Sequence, residues 1–125
     1  HLYRGMSEKQ VVKGLGNKKS LQCVSGSCMG MNVKDFIELN GFDEDFHNGY
    51  EDFDLCFRMR FDLKKQVVVH PEVRFLHHEG ITISRYQRQQ HEGMNRDAFV
   101  RKHLSKVLID HDWVIDQDGG LRIEV

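Results

Sequence analysis

Three clusters of side chains in this 125-residue chain carry functional groups suited to acid–base or metal chemistry. The first is Glu51-Asp52-Phe53-Asp54, with Asp43 and Glu44 shortly before it. The second is His77-His78-Glu79, with Ser84-Arg85 just beyond. The third is the small, hydroxyl-bearing run Ser25-Gly26-Ser27. A carboxylate beside a loop can take a proton from an attacking hydroxyl. A neutral imidazole among carboxylates suits Mn²⁺ better than Ca²⁺. An arginine offers a forked pair of donors to phosphate oxygens. Each cluster also has a plainer reading. Acids in a first helical turn complement the helix dipole, a histidine can end a strand, and an arginine can lie on the surface. His78 is assigned the plainer role. Zinc is disfavoured, because Cys23 and Cys28 are separated by four residues and have no matching second pair.

Hydrophobic periodicity supplies the elements that must position these groups. Residues 1–20 are polar and glycine-rich and read as a loop or mobile arm. Gln22 to Met31 reads as a buried strand. A helix is expected from Asn32, with Val33, Phe36 and Ile37 on one face and Gly41 as its stop. A second helix from about Asp52 carries the stripe Phe53, Cys56, Phe57 and Phe61. Its acids come first and its bases last, in the order the dipole favours. Gln66–His70 and Val73–His77 read as strands interrupted by Pro71. Val100, Leu104, Val107 and Leu108 mark a third helix, and Asp118-Gly119-Gly120 the turn of a terminal hairpin. The fold class expected is mixed α/β.

Composition narrows the partners. Charged residues are 30% and hydrophobic ones 39%, so the chain is of ordinary globular type with one core. The net charge of -1 gives no basic field for nucleic acid or an anionic membrane. Charge is uneven, however. Eight acids lie between Asp35 and Asp54, and six Lys or Arg against two acids lie between Ile81 and Lys106. On charge alone these are solvated helix faces. Three cysteines fit a reducing compartment, so the expected location is cytoplasmic, including the inner face of the membrane. No run is long and apolar enough to span a bilayer. The chain opens at His1-Leu2, and we expect it to be part of a larger protein.

The order of the motifs is more specific than any one of them. Ser25-Gly26-Ser27-Cys28-Met29 is followed by Asn40-Gly41-Phe42-Asp43-Glu44, then Glu51-Asp52-Phe53-Asp54-Leu55, then His70-Pro71-Glu72 and Phe75-Leu76-His77-His78-Glu79. This order resembles the C-terminal half of family 2 glycosyltransferases, the inverting enzymes of GT-A fold. It is most similar to the rhamnosyltransferase-like enzymes of polysaccharide assembly. The resemblance covers roughly residues 21–85. It departs in Asn40-Gly41 for a Gly-Gly pair, in the Phe61-Asp-Leu-Lys-Lys helix end, and in a longer spacing after Glu79.

The resemblance implies a C-terminal, acceptor-side portion of a GT-A domain over residues 21–125. Asp52 would be the catalytic base. Glu51, Asp54, Ser25, Gly26, Asp43 and Arg85 would bind substrate, and His77 would ligate Mn²⁺ or Mg²⁺. The partners would be a nucleotide-sugar donor, a glycan or lipid-linked hydroxyl acceptor, and an upstream nucleotide-binding half. That half would hold the true Asp-x-Asp metal motif, because Asp43/Asp45, Asp52/Asp54 and Asp116/Asp118 do not follow an apolar strand. This portion alone would be inactive. Two other readings stay open: a non-catalytic, degenerate transferase or scaffold module, and an independent metal-binding module.

Overall fold

The computed structural model describes residues 7–15, 20–70, 73–78, 85–107, 113–115 and 121–123. Among these described residues, four α-helices run over Glu8–Leu15 (α1), Val33–Glu38 (α2), Glu51–Phe61 (α3) and Arg85–His103 (α4). Short 3₁₀ turns lie at Gly26–Cys28 and Leu104–Lys106. Trp113–Ile115 (β1) and Leu121–Ile123 (β2) pair antiparallel, with Trp113 opposite Ile123. The expected terminal hairpin is therefore present, while its Asp118-Gly119-Gly120 turn lies outside the described residues. Elsewhere among the described residues, strand pairing is limited to one antiparallel bridge, Leu21 to Val67.

Several boundaries differ from expectation, each for a local reason. Helix α1 falls within residues 1–20, the expected loop or arm. Its start is a capping box: Ser7 Oγ accepts from Gln10 N at 3.4 Å and Gln10 Oε1 from Ser7 N at 2.8 Å. The expected strand over Gln22–Met31 is broken at its centre, where Ser25 Oγ accepts from Ser27 N at 3.3 Å. Such side-chain-to-backbone bonds compete with a strand ladder. Val73–His78 is without strand assignment.

Helix α2 begins at its expected cap, where Asn32 accepts from Lys34 N at 2.9 Å. It closes through paired bonds, Gly41 N to Phe36 O at 2.8 Å and Asn40 N to Ile37 O at 2.9 Å. This is a Schellman closure in which Asn40 takes the left-handed conformation, with φ 57°.

Helix α3 is central. Asp54, Leu55, Cys56 and Phe57 are consecutive and all buried, so the helix is covered around most of its circumference. One flank packs on α4. Phe57 meets Phe99 edge-on at 5.1 Å, and His103 lies 5.0 Å from both rings. Helix α4 begins well before the expected stripe. Val100 and Leu104 stay 40% and 65% exposed, whereas Asn95 and His103 are buried. The side of α4 turned inward is thus the series Asn95, Phe99, His103, spaced four residues apart.

Candidate active site

The start of α3, the Gly26–Cys28 turn and the loop after α2 converge on one cavity of about 540 Å³. Asp43, Glu44, Glu51 and Asp52 line it, with Phe42 and Phe46 as its aromatic wall and Gly26 and Ser27 as its backbone edge. Asp52 is held by two backbone amides. Its Oδ2 accepts from Gly26 N at 2.7 Å and its Oδ1 from Phe53 N at 2.9 Å. A carboxylate offers about four acceptor positions, so capacity remains for a hydroxyl proton. The approach is close: a Cβ at Gly26 would lie 3.1 Å from Asp52 Cβ, so a larger residue there would push the Asp52 side chain aside.

His77 reaches the same turn from a distant part of the chain. Its Nδ1 lies 3.4 Å from Ser27 Oγ, one residue beyond the amide that holds Asp52. The residues singled out as base and metal ligand, 25 positions apart in sequence, thus each touch one residue of the Gly26–Ser27 turn. Among the described residues, no group of three His, Cys, Asp or Glu side chains is arranged to hold a metal ion. One imidazole beside a serine hydroxyl is too small a donor set for a cation that wants about six ligands. The described residues do not form a metal site by themselves.

The remaining sequence candidates divide. Glu51 lines the cavity and its Oε2 accepts from Gly49 N at 2.6 Å. Asp43 also lines it, and its Oδ2 accepts from Lys102 Nζ at 2.6 Å. That bond, helped by the Asp45 amide, holds the Asp43 carboxyl below its ordinary range. Ser25 instead turns inward to cap the 3₁₀ turn, with its Oγ 2.8 Å from Ser27 Oγ. The side chain of Arg85, the first residue of α4, and Ser84 lie outside the described residues.

Asp54, expected to bind substrate, does not line this cavity. It is fully buried. Its Oδ2 accepts from Arg58 Nε at 2.6 Å, and its Oδ1 lies 2.7 Å from both Lys102 Nζ and His103 Nε2. Burial alone would raise its pKa, but the bonds from Lys102, His103 and Arg58 outweigh this and lower it. Arg58 in turn donates to Leu39 O at 2.6 Å and Gly41 O at 2.8 Å. Asp54 thus holds the arginine that holds the Asp43 loop. Asp52 and Asp54 cannot chelate one ion, since the oxygens of Asp54 are engaged away from solvent.

Two residues of the site escaped the sequence reading. Lys102 bridges Asp43 and Asp54 from α4. Asn95, also on α4, bonds the backbone of His47 in both directions. A search for apolar periodicity passes over both, because one is charged and the other polar. Comparison of the chain with family models, with curated proteins and with solved structures gives no match.

Proposed function

We propose that this chain is the acceptor-side portion of an inverting glycosyltransferase of family 2 and GT-A fold. The intact enzyme would move a sugar from a nucleotide-diphosphate donor to a hydroxyl acceptor in polysaccharide or glycoconjugate synthesis. The observation that carries the reading is that Asp52 and His77 bind the adjacent residues Gly26 and Ser27, which edge an acid-lined cavity. The motif order of the sequence supports it independently. No helix among the described residues is long and apolar enough to cross a membrane, and a cytoplasmic setting belongs to the proposal.

In this reading the acceptor hydroxyl enters beside Asp52. The hydroxyl oxygen bonds to the anomeric carbon while the bond from that carbon to the diphosphate breaks. The hydroxyl proton passes to Asp52, and the electron pair leaves with the nucleoside diphosphate. The amides of Gly26 and Phe53 keep the carboxylate in one orientation during attack. Mn²⁺ or Mg²⁺ would offset charge on the leaving diphosphate, with His77 as one ligand and the rest from outside the described residues.

The test is Asp52→Asn in the intact enzyme. Asparagine keeps a carbonyl oxygen for Gly26 N but cannot take the proton. Turnover should fall by about 10²–10⁴-fold with donor binding retained. Unchanged kcat would remove Asp52 from the role of base.

A further inference from the structure

Asn95 sits on α4, outside every motif above, and is 2% exposed. A buried primary amide needs partners for both its ends. Here both go to a single residue of the site loop. Oδ1 accepts from His47 N at 3.1 Å and Nδ2 donates to His47 O at 2.8 Å. The amide therefore reads the loop backbone as a neighbouring strand would, and pins it to the rigid helix.

The three residues that follow are all left-handed. Asn48 has φ 53°, Gly49 φ 152° and Tyr50 φ 73°. Gly49 suits such geometry, and a Cβ there would also lie 3.6 Å from Asn95 Nδ2. Asn48 tolerates it with modest cost, but a tyrosine rarely adopts it. Tyr50 is held instead by rings, 5.6 Å from Phe99 and 5.7 Å from Phe53. Strain of this kind persists only where the surroundings over-determine it. The clamp on His47 precedes the strained run and α3 follows it. Tyr50 O receives the first helical bond, from Asp54 N at 2.8 Å, and Gly49 N binds Glu51.

We infer that Asn95 is a positioning residue of the site: by clamping His47 it keeps Asn48-Gly49-Tyr50 left-handed, and so sets the direction in which Glu51 and Asp52 enter the cavity. Without the clamp the run relaxes toward ordinary φ, the first turn of α3 rotates, and the 2.7 Å contact between Gly26 N and Asp52 lengthens. The effect on turnover rests on the transferase reading above; the effect on the turn does not.

The experiment compares the full chain with Asn95→Ala and Asn95→Asp, each with and without Asn48→Gly. Aspartate keeps the acceptor for His47 N–H but places an oxygen against His47 C=O, and it supplies the test if the alanine variant does not fold. The first readout is the backbone amide NMR resonances of Gly26 and Gly49. Both should shift in either variant, and Asn48→Gly should lessen the shift, because glycine takes positive φ without the cost that drives the run to relax. The second readout is transfer by the intact enzyme. There kcat should fall by up to about 10²-fold with KM for the donor little changed, and Asn95→Asp should fall less than Asn95→Ala. Unmoved Gly26 and Gly49 resonances in a folded Asn95 variant would overturn the inference, as would an unchanged kcat beside shifted resonances. If the wild-type enzyme transfers no sugar, the transferase reading falls and the resonances alone decide the clamp.

Discussion

Helix α3 has two flanks built on different principles. Toward α4, directional contacts dominate: the Phe57, Phe99 and His103 rings at 5.0–5.1 Å, and the Asp54 carboxylate bonded to Arg58, Lys102 and His103. Toward residues 20–31, 64–70 and 73–78, Leu55, Cys56 and Met59 floor an apolar groove of about 530 Å³. Backbone pairing between those two segments is one bridge, Leu21 to Val67, and Cys56 Sγ meets Val24 O at 3.8 Å. Val68, Val73 and Phe75 on that flank remain 55–60% exposed. One flank is specified by angles and charges, the other mainly by apolar area with few polar bonds. The candidate site joins them, because Asp52 belongs to α3 but is held by Gly26 of the second flank.

The largest effect should come from breaking the first flank at its centre. Asp54→Asn leaves Arg58 buried beside a neutral amide and turns an N–H₂ toward one of three donors. Breaking a buried pair in this way costs on the order of 3–5 kcal/mol. The Lys102 arm, 38% exposed, is screened by water and adds little. Urea unfolding of the purified chain measures this, and a loss below about 1 kcal/mol would show that the flank rests on its rings alone.

The same network gives a pH signature. The folded pKa of Asp54 lies below its ordinary value of 3.8, so its stabilisation is fully present above that value and is lost as pH falls through the folded pKa. Asp43 behaves alike. Lys102 has its folded pKa raised above 10.5, because its bonds to Asp43 and Asp54 outweigh burial; its contribution is lost as pH rises through that raised value. Between these limits Asp43, Asp54 and Lys102 all keep their charges. Unfolding midpoints of Asp54→Asn should lose much of the acid limb seen below pH 3.8. An unaltered acid limb would assign it to other carboxylates.

How far the sequence could be read follows the same division. The start of α2 at Asn32, its closure before Gly41 and the α3 stripe were legible, because caps and apolar periods act locally. The expected strands over Gln22–Met31 and Val73–His77 were not realised as written, since a strand needs a partner that local pattern does not name. Asp54 looked like Asp52 in sequence, two positions away on a helix, yet about 200° of rotation puts one toward the cavity and the other into the core. Asn95 and Lys102 were illegible as site residues, for their roles depend on which helix packs on α3. Ser7-x-x-Gln10 was readable as a capping box and would have located α1.

An intermediate effect should separate charge from geometry within the first flank. Arg58→Lys keeps a cation near Asp54 but loses the fork that reaches Leu39 O and Gly41 O. A charged hydrogen bond contributes about 1.5–3 kcal/mol, and lysine can replace one of the three at most. Stability should fall by at least the amount of one such bond, and the loop carrying Asp43 should exchange its amide hydrogens faster. If Arg58→Lys unfolds at the wild-type midpoint, the fork to the α2 carboxyl end contributes nothing and charge alone organises the loop.

The smallest effect tests the second flank, and it needs two substitutions side by side. Val67 is 8% exposed and Val68 is 55% exposed, so neighbouring residues on an extended segment face opposite ways. Threonine has nearly the shape of valine but adds a hydroxyl. At position 67 that hydroxyl enters the groove wall, where Leu55 and Cys56 offer no acceptor side chain of the usual kind. Burying it without a partner costs roughly 1–3 kcal/mol. At position 68 it meets water, and the change should stay within about 0.5 kcal/mol. Paired unfolding curves of Val67→Thr and Val68→Thr give the difference directly. Equal costs would mean either that the groove is wetter than its apolar lining implies or that Val68 is covered in solution, and amide exchange at Val68 distinguishes the two. Fast exchange with both variants near wild type would make the second flank a solvated surface, whereas slow exchange with both variants destabilised would make it a buried one.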